Sequence, residues 1–403
     1  MKSSWTLLTI NDVCSVTDCQ HKTAPTVDIP TEYRMLRTTN IRNGQLRDVN
    51  DTKSVAKDIY DKWSVRGYLE FGDVILTREA PMGEVALLRE NEKYKYFLGQ
   101  RMLQLKAYKD VITPEFLYYS LQTRELQHQI MMNEGTGSVV SNIRIPLLKK
   151  MKLVVPNLQE QQRITKLLFD IDNKIIVNKE IIDNLERLSQ TLFKHWFIDF
   201  EFPNEQGQPY KSSGGEMAES ELGEIPSMFK CGTIRDFCDL KYGKALTKKN
   251  RIPGAYPVYG SGGVTGTHKD YLIEGPGVIV GRKGSIGTLY LEFNNFYPID
   301  TVFYTESKDY PPMFLYLLFK QYDFTKANND SAVPGLNRDF VYNTKAVVPD
   351  LKIVNKFEKI ISSIYETIRN LSEENRILEE LRDTLLPKLL SGEIKIPDEV
   401  VVD

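Results

Sequence analysis

VVPNLQEQQRITKLLFDIDNKIIVNKEIIDNLERLSQTLFKHWF, residues 154–197, returns without a gap as VVPDLKIVNKFEKIISSIYETIRNLSEENRILEELRDTLLPKLL, residues 347–390. About a third of the aligned positions are identical, so the chain is an internal repeat with two related halves. Each stretch carries apolar residues in strict 4-3 spacing, which is a heptad seam. Ile171, Ile175, Ile182 and Leu185 lie on the first seam, and Ile364, Ile368, Leu371 and Leu378 on the second. The spacing predicts two helices of roughly 38 residues, about 57 Å long at 1.5 Å per residue. A seam needs a partner. The nearest candidate is the other helix, and pseudo-two-fold symmetry favours an antiparallel pair. Asn178, Ser189, Asn375 and Arg382 interrupt the seams, as residues that set register do. Asn157 with Glu160 forms a capping-box signature at the first helix, whereas Asp350 is followed by Ile353 and lacks the second half of the box. Pro387 is expected to end or kink the second helix.

A strand-rich block precedes each helix. Residues 72–88, GDVILTREAPMGEVALL, and 276–291, PGVIVGRKGSIGTLYL, each read as strand, loop, strand. GQRMLQLK and IDTVFYTE follow as the next matching strand, then PEFLYYSL and PMFLYLLF as short helices. Glycine-rich loops, EGTGSVVSN and NNDSAVPGLNRD, close the blocks. The first block is about 30 residues longer before Gly72. Residues 201–226 are rich in Gly, Pro, Ser and Glu without an apolar period and read as a linker.

The 403 residues suffice for two or three cored domains. A 41% apolar and 26% charged composition is that of a folded, water-soluble protein. No apolar run approaches the roughly 18 residues of a membrane span, and the first residues, MKSSWTLLTINDVCSV, lack a signal-peptide pattern. The cytoplasm is the expected compartment. The formal net charge of −2 hides an alternation: the blocks at 1–153 and 228–349 each carry about +4, and the helical segments are acidic. Of four cysteines, Cys14 and Cys238 occupy equivalent places, which suits core filler better than a metal site.

Catalytic signatures fail on inspection. DYPPMF (309–314) matches TPEFLYY of the first half and reads as a helix start. YGSGGVTG (259–266) lacks the strand–helix context and the Gly-Lys-Ser/Thr ending of a phosphate loop. Glu393-Ile394-Lys395 has no suitably placed aspartate before it. The chain is expected to bind without making or breaking covalent bonds. Reading DNA requires cations for phosphates and forked or amide side chains for base edges. The first block offers Arg34, Arg37, Asn40, Arg42, Arg78, Gln100 and Arg101. The second offers Lys244, Lys248, Lys249, Tyr259, His268, Lys269, Arg282, Lys283 and Ser285. Arg78 and Arg282 leave equivalent strand ends, which fits either a DNA contact or a shared structural ion pair.

The chain resembles the specificity subunits of Type I restriction-modification systems over nearly its whole length. The resemblance rests on VVPNLQEQ (154–161), SELGEIP (220–226), SAVPGLNRD (331–339) and LRDTLLPKLLSGEI (381–394) in this order. It departs at DLKIVNKF, which lacks the Leu-x-Glu-Gln of the first helix start, and at the first block, which lacks the Leu-Gly-Glu-Ile-Pro lead-in. The resemblance implies an α+β fold: two mixed, strand-rich target-recognition domains at 1–155 and 227–349, separated by two long antiparallel coiled-coil helices. Those helices are the central one at 156–200 and the distal one at 350–396, with the linker at 201–226 and a tail at 397–403. It implies a non-catalytic subunit that reads a split target in double-stranded DNA, with half-sites about one helical turn, near 34 Å, apart. The helices would act as a ruler between them. Two modification subunits and, in the full enzyme, restriction subunits would dock on it. S-adenosylmethionine, ATP and magnesium belong to those partners, and no cofactor, metal or membrane to this chain. The rival readings are a self-sufficient methyltransferase or nuclease, a coiled-coil scaffold without DNA, and the specificity subunit of a methylation-only or Type II-like bifunctional system.

Overall fold

The computed structural model describes residues 5–90, 92–132, 142–325 and 335–397. Residues 134–141 of the first glycine-rich loop and 328–334 of the second fall outside the described residues. Two compact units divide the chain, one of Met1–Ile176 with Arg376–Asp403, the other of Val177–Asn375. The boundary cuts both repeated helices, Leu158–Phe197 and Leu351–Leu390, so each unit holds one strand-rich block and half of each helix.

In the first unit, strand Thr6–Thr9 pairs antiparallel with Lys152–Val155. A four-stranded antiparallel sheet runs in the order Cys14–Asp18, Met102–Ala107, Val74–Thr77, Val85–Leu87. Val74–Thr77 is buried at every position, which is why Val74, Ile75 and Leu76 form an apolar run rather than an alternation. Helix Pro114–Leu121 follows; Thr113 caps it by accepting the Phe116 N–H at 3.2 Å, and Pro114 occupies the first turn, where no N–H is needed. A smaller mixed sheet has Tyr33–Leu36 at its centre, antiparallel to Lys53–Ser54 and parallel to Lys95–Leu98.

The second unit repeats this plan. Lys230–Thr233 pairs with Lys345–Val348, and the four-stranded order is Cys238–Tyr242, Val302–Ser307, Gly277–Gly281, Leu289–Glu292. Helix Pro312–Phe319 takes the place of Pro114–Leu121. A second mixed sheet centres on Tyr256–Gly260, antiparallel to Gly263–His268 and parallel to Tyr297–Pro298. Cys14 and Cys238 are both core residues, and burial pushes each thiol up to about 12.

The helices pair inside each unit. In the first, Ile164 and Leu168 share one core with Leu389 and Leu390. In the second, Phe193 and Phe197 pack on Phe357, with ring centroids 5.9 and 5.0 Å apart. Rising numbers on one helix meet falling numbers on the other, so the pairing is antiparallel. Ile171, Ile175 and Ile368 are buried, and Ile182, Leu185, Ile364, Leu371 and Leu378 are half-buried. The polar interruptions find partners. Asn178 Nδ2 donates to Asn375 Oδ1 at 3.0 Å and to Glu374 at 2.8 Å. Arg382 donates to Asp172 Oδ1 at 3.0 Å, and the other oxygen of Asp172 accepts the Tyr119 hydroxyl at 2.6 Å.

Three local expectations change. Glu160 accepts the Trp5 indole N–H at 3.1 Å, while Asn157 caps its own helix at 2.9 Å, so the second half of the capping pattern anchors the N-terminal strand instead. The distal helix runs through Pro387 to Leu390, forgoing the one backbone bond that residue 387 would donate to the preceding turn, and Gly392 at φ +73° closes it under the Trp5 ring. Residues 201–226 are no bare linker. Phe202 stacks on Tyr210 at 4.6 Å and on Phe229 at 5.2 Å, and a hairpin pairs Met217–Ser220 with Gly223–Pro226. Phe202 and Tyr210 stand eight residues apart and Phe229 nineteen further on, which gives no helical or strand period, so composition alone hid this packing. No described helix is long and apolar enough to cross a membrane.

Candidate nucleic-acid interface

The four-stranded sheets end in loops built on the same hydrogen bonds. In the first unit the Arg78 N–H donates to the Arg101 carbonyl, and the Ile143 N–H to the Arg78 carbonyl. In the second, the Arg282 N–H donates to the Thr301 carbonyl, and the Leu336 N–H to the Arg282 carbonyl. Gly83 and Gly287, at φ +89° and +74°, close the two strand-to-strand turns by bonding back to Thr77 and Gly281. The two arginines therefore occupy one structural position, but their surroundings differ. Arg78 is an internal ion pair: it donates to Asp18 at 2.9 Å, to Asn142 Oδ1 at 2.8 Å and to the Ile143 carbonyl at 3.0 Å. Arg282 meets a ring instead, lying 4.8 Å from the centroid of Tyr242, and donates to the Asp300 carbonyl at 3.0 Å. Tyr242 ends its strand where Asp18 ends the equivalent one.

Several other sequence candidates are structural. Arg34 is buried over the Tyr94 ring and donates to the Thr52 carbonyl and Ser54. Asn40 is buried, accepting the Arg37 N–H and donating to the Arg47 carbonyl. Tyr259 donates to Glu292 at 2.8 Å from within the second mixed sheet; burial, then that carboxylate, pushes its hydroxyl pKa up. His268 is buried, and its Nδ1 accepts the Ile252 N–H at 3.1 Å. Each of the four is buried and bonded within its own block. Gln100 is half-buried, its amide reaching Thr23 at 3.4 Å, and Arg101 sits at φ +68° with Nε 3.2 Å from Glu79.

The remaining candidates are exposed: Arg37 and Arg42 in the first unit, and Lys244, Lys248, Lys249, Lys269, Lys283 and Ser285 in the second. Arg42 stands on the short hairpin of Ile41–Arg42 with Gln45–Leu46, and Lys248 and Lys249 on a single 3-10 turn. Thin, cationic projections of this kind suit a groove or a phosphate row. At the second unit's strand end two sequence candidates, Arg282 and Lys283, meet four residues the sequence did not single out, Tyr242, Asn337, Arg338 and Asp339. Together they line a cleft of about 320 Å³. Two signals for it were legible: Tyr242 aligns with Asp18, and Arg338 lies inside the SAVPGLNRD motif.

Among the described residues one trio, Asp18, Cys19 and His21, approaches metal-ligand spacing. One carboxylate oxygen of Asp18 already accepts both the Arg78 guanidinium at 2.9 Å and the His21 ring at 3.0 Å, and burial raises the Cys19 thiol. A resident guanidinium opposes a cation at that oxygen, and the trio reads as an ion-pair network.

The family model for the Type I restriction modification DNA specificity domain matches residues 2–187 and 226–382. The specificity subunit of the Type I restriction enzyme MjaIX of Methanocaldococcus jannaschii is 24% identical over 358 residues, spanning 81% of this chain and 78% of that protein. The HindI specificity subunit of Haemophilus influenzae is 23% identical over 406 residues, spanning 80% and 86%. The crystal structure of the Type I restriction-modification S subunit from M. genitalium superposes with a TM-score of 0.61 at 20% identity, over 99% of this chain and 98% of that one, and shows the same fold. Two matches to one specificity domain, each covering a block and most of the helix that follows it, establish that this chain belongs to the Type I restriction-modification DNA specificity family.

Proposed function

We propose that the chain selects a two-part DNA target, each unit reading one half, and that it presents that target to methyltransferase and restriction subunits without catalysing a reaction itself. The observation that carries this reading is the repeated strand-end scaffold with divergent side chains. The same backbone bonds hold Arg78 against Asp18 in one unit and Arg282 against Tyr242 in the other. One scaffold with two chemistries is what two different half-sites require. The basic lean of both blocks supplies the phosphate attraction that positions such a reader. Exposed apolar residues on the helices, Val177, Ile181 and Leu188 in one unit and Ile377 and Leu381 in the other, support docking of partner subunits there. S-adenosylmethionine, ATP and magnesium would be bound by those partners, whose methyltransferase would flip and modify an adenine at the place this chain selects.

Mapping methylated adenines in DNA from cells that carry this chain with its methyltransferase partner tests the reading. The expected result is a motif of two fixed halves around a spacer of constant length. Methylation at an unsplit motif would contradict it.

A further inference from the structure

We propose that the cleft at the strand ends of the second unit holds one backbone phosphate of bound DNA, and that the first unit has no such seat because its own carboxylates fill the equivalent place. This rests on the DNA-reading function above and assigns unequal electrostatic roles to the two units.

The argument begins with charge. The cleft is lined by Arg282, Lys283 and Arg338 against a single carboxylate, Asp339. Among the described residues neither arginine is paired to a carboxylate. Arg282 and Arg338 instead lie 4.8 and 5.2 Å from the centroid of the same ring, that of Tyr242. The ring face attracts both guanidinium groups yet leaves their charge uncancelled. Arg338 Nε is enclosed and has no acceptor among the described residues. An unsatisfied, enclosed donor is costly, and among acceptors an anion bonds most strongly to a guanidinium N–H. Lys283 is exposed at the cleft, and Lys244, two residues past Tyr242, is exposed as well.

The equivalent positions of the first unit carry the opposite sign. Asp18 stands where Tyr242 does, and Glu79 where Lys283 does. Asp18 holds Arg78 at 2.9 Å, and Glu79 holds Arg101 at 3.2 Å. An anion approaching there meets two carboxylates ahead of it. The same backbone thus presents an open cationic seat in one unit and a self-neutralised one in the other. A phosphate is the fitting occupant, since forked guanidinium groups and an ammonium match its oxygens, and since the duplex offers phosphates in series.

The test uses the full chain and duplex DNA, with affinity measured against salt concentration. Each phosphate contact contributes about 0.9 to the slope of log K against log salt. Arg338→Gln, Lys283→Gln and Tyr242→Asp, the last copying the first unit's arrangement, should each lower that slope by up to about one contact. They should weaken binding to all sequences alike, and combining them should not deepen the loss beyond one contact. Tyr242→Phe should keep the wild-type slope. Thermal melting identifies any variant that has lost its fold, and the exposed Lys283→Gln is the variant least dependent on packing. Wild-type slopes in folded Arg338→Gln, Lys283→Gln and Tyr242→Asp would overturn the phosphate seat while leaving the DNA reading intact. Binding by the wild-type chain that does not vary with salt would overturn the DNA reading and the seat together.

Discussion

Arg78 and Arg282 show how one residue type at one backbone position acquires two roles. The deciding neighbour is the last residue of the edge strand, one strand removed: a carboxylate neutralises, a ring does not. The residue scale is also where the sequence was least informative. Arginine, asparagine, tyrosine and histidine were nominated by chemistry, yet Arg34, Asn40, Tyr259 and His268 are buried. Side-chain type states what a group can bond. Whether a block has already engaged it depends on neighbours distant in sequence, as Tyr94 is from Arg34. Glu358 makes a further point. Its carboxylate is partly buried, one oxygen has no partner, and burial raises its pKa to about 7, against a bond from Ser362 that lowers it. The folded form therefore keeps a proton that the unfolded form releases above its ordinary value near 4.5. Stability falls as pH rises through that window and stays low above it. Glu358→Gln should raise stability at pH 8 by about 1–2 kcal/mol, a figure reduced from the full shift for solvent screening, and change it little at pH 5. Urea midpoints at the two pH values check this; an equal effect at both would contradict it.

At the scale of elements, the long helices were the most legible feature, because a 4-3 seam over more than four heptads has few other readings. Their polar interruptions were legible too. Asn178 and Asn375, each on its own seam, meet as a pair inside the second unit. The hairpin and aromatic stack within 201–226 were not, since Phe202, Tyr210 and Ile225 are spaced without a period. The asparagine pair yields a prediction. Asn178→Leu alone leaves Asn375, which is 6% exposed, without its partner, and should destabilise by about 1–3 kcal/mol. Adding Asn375→Leu should recover that loss, because an apolar layer replaces the polar one, at the expense of a fixed register. Urea unfolding of both variants decides, and a single variant as stable as the double would contradict the role of the pair.

For the molecule as a whole, the repeat announced in sequence proves to be a repeat of topology down to the mixed three-stranded sheets. The sequence could not announce that, since the blocks differ in length and the second sheet is built from short strands of dissimilar composition. Two units with one plan and different strand-end chemistry are the basis for assigning each its own half of a DNA target. The most direct measurement is an exchange: replace residues 228–349 with the corresponding block of a family member of different specificity, and map methylated adenines in cells that carry the partner methyltransferase. One half of the motif should change to that of the donor while the other half and the spacer persist. A motif altered in both halves, or in neither, would contradict the account.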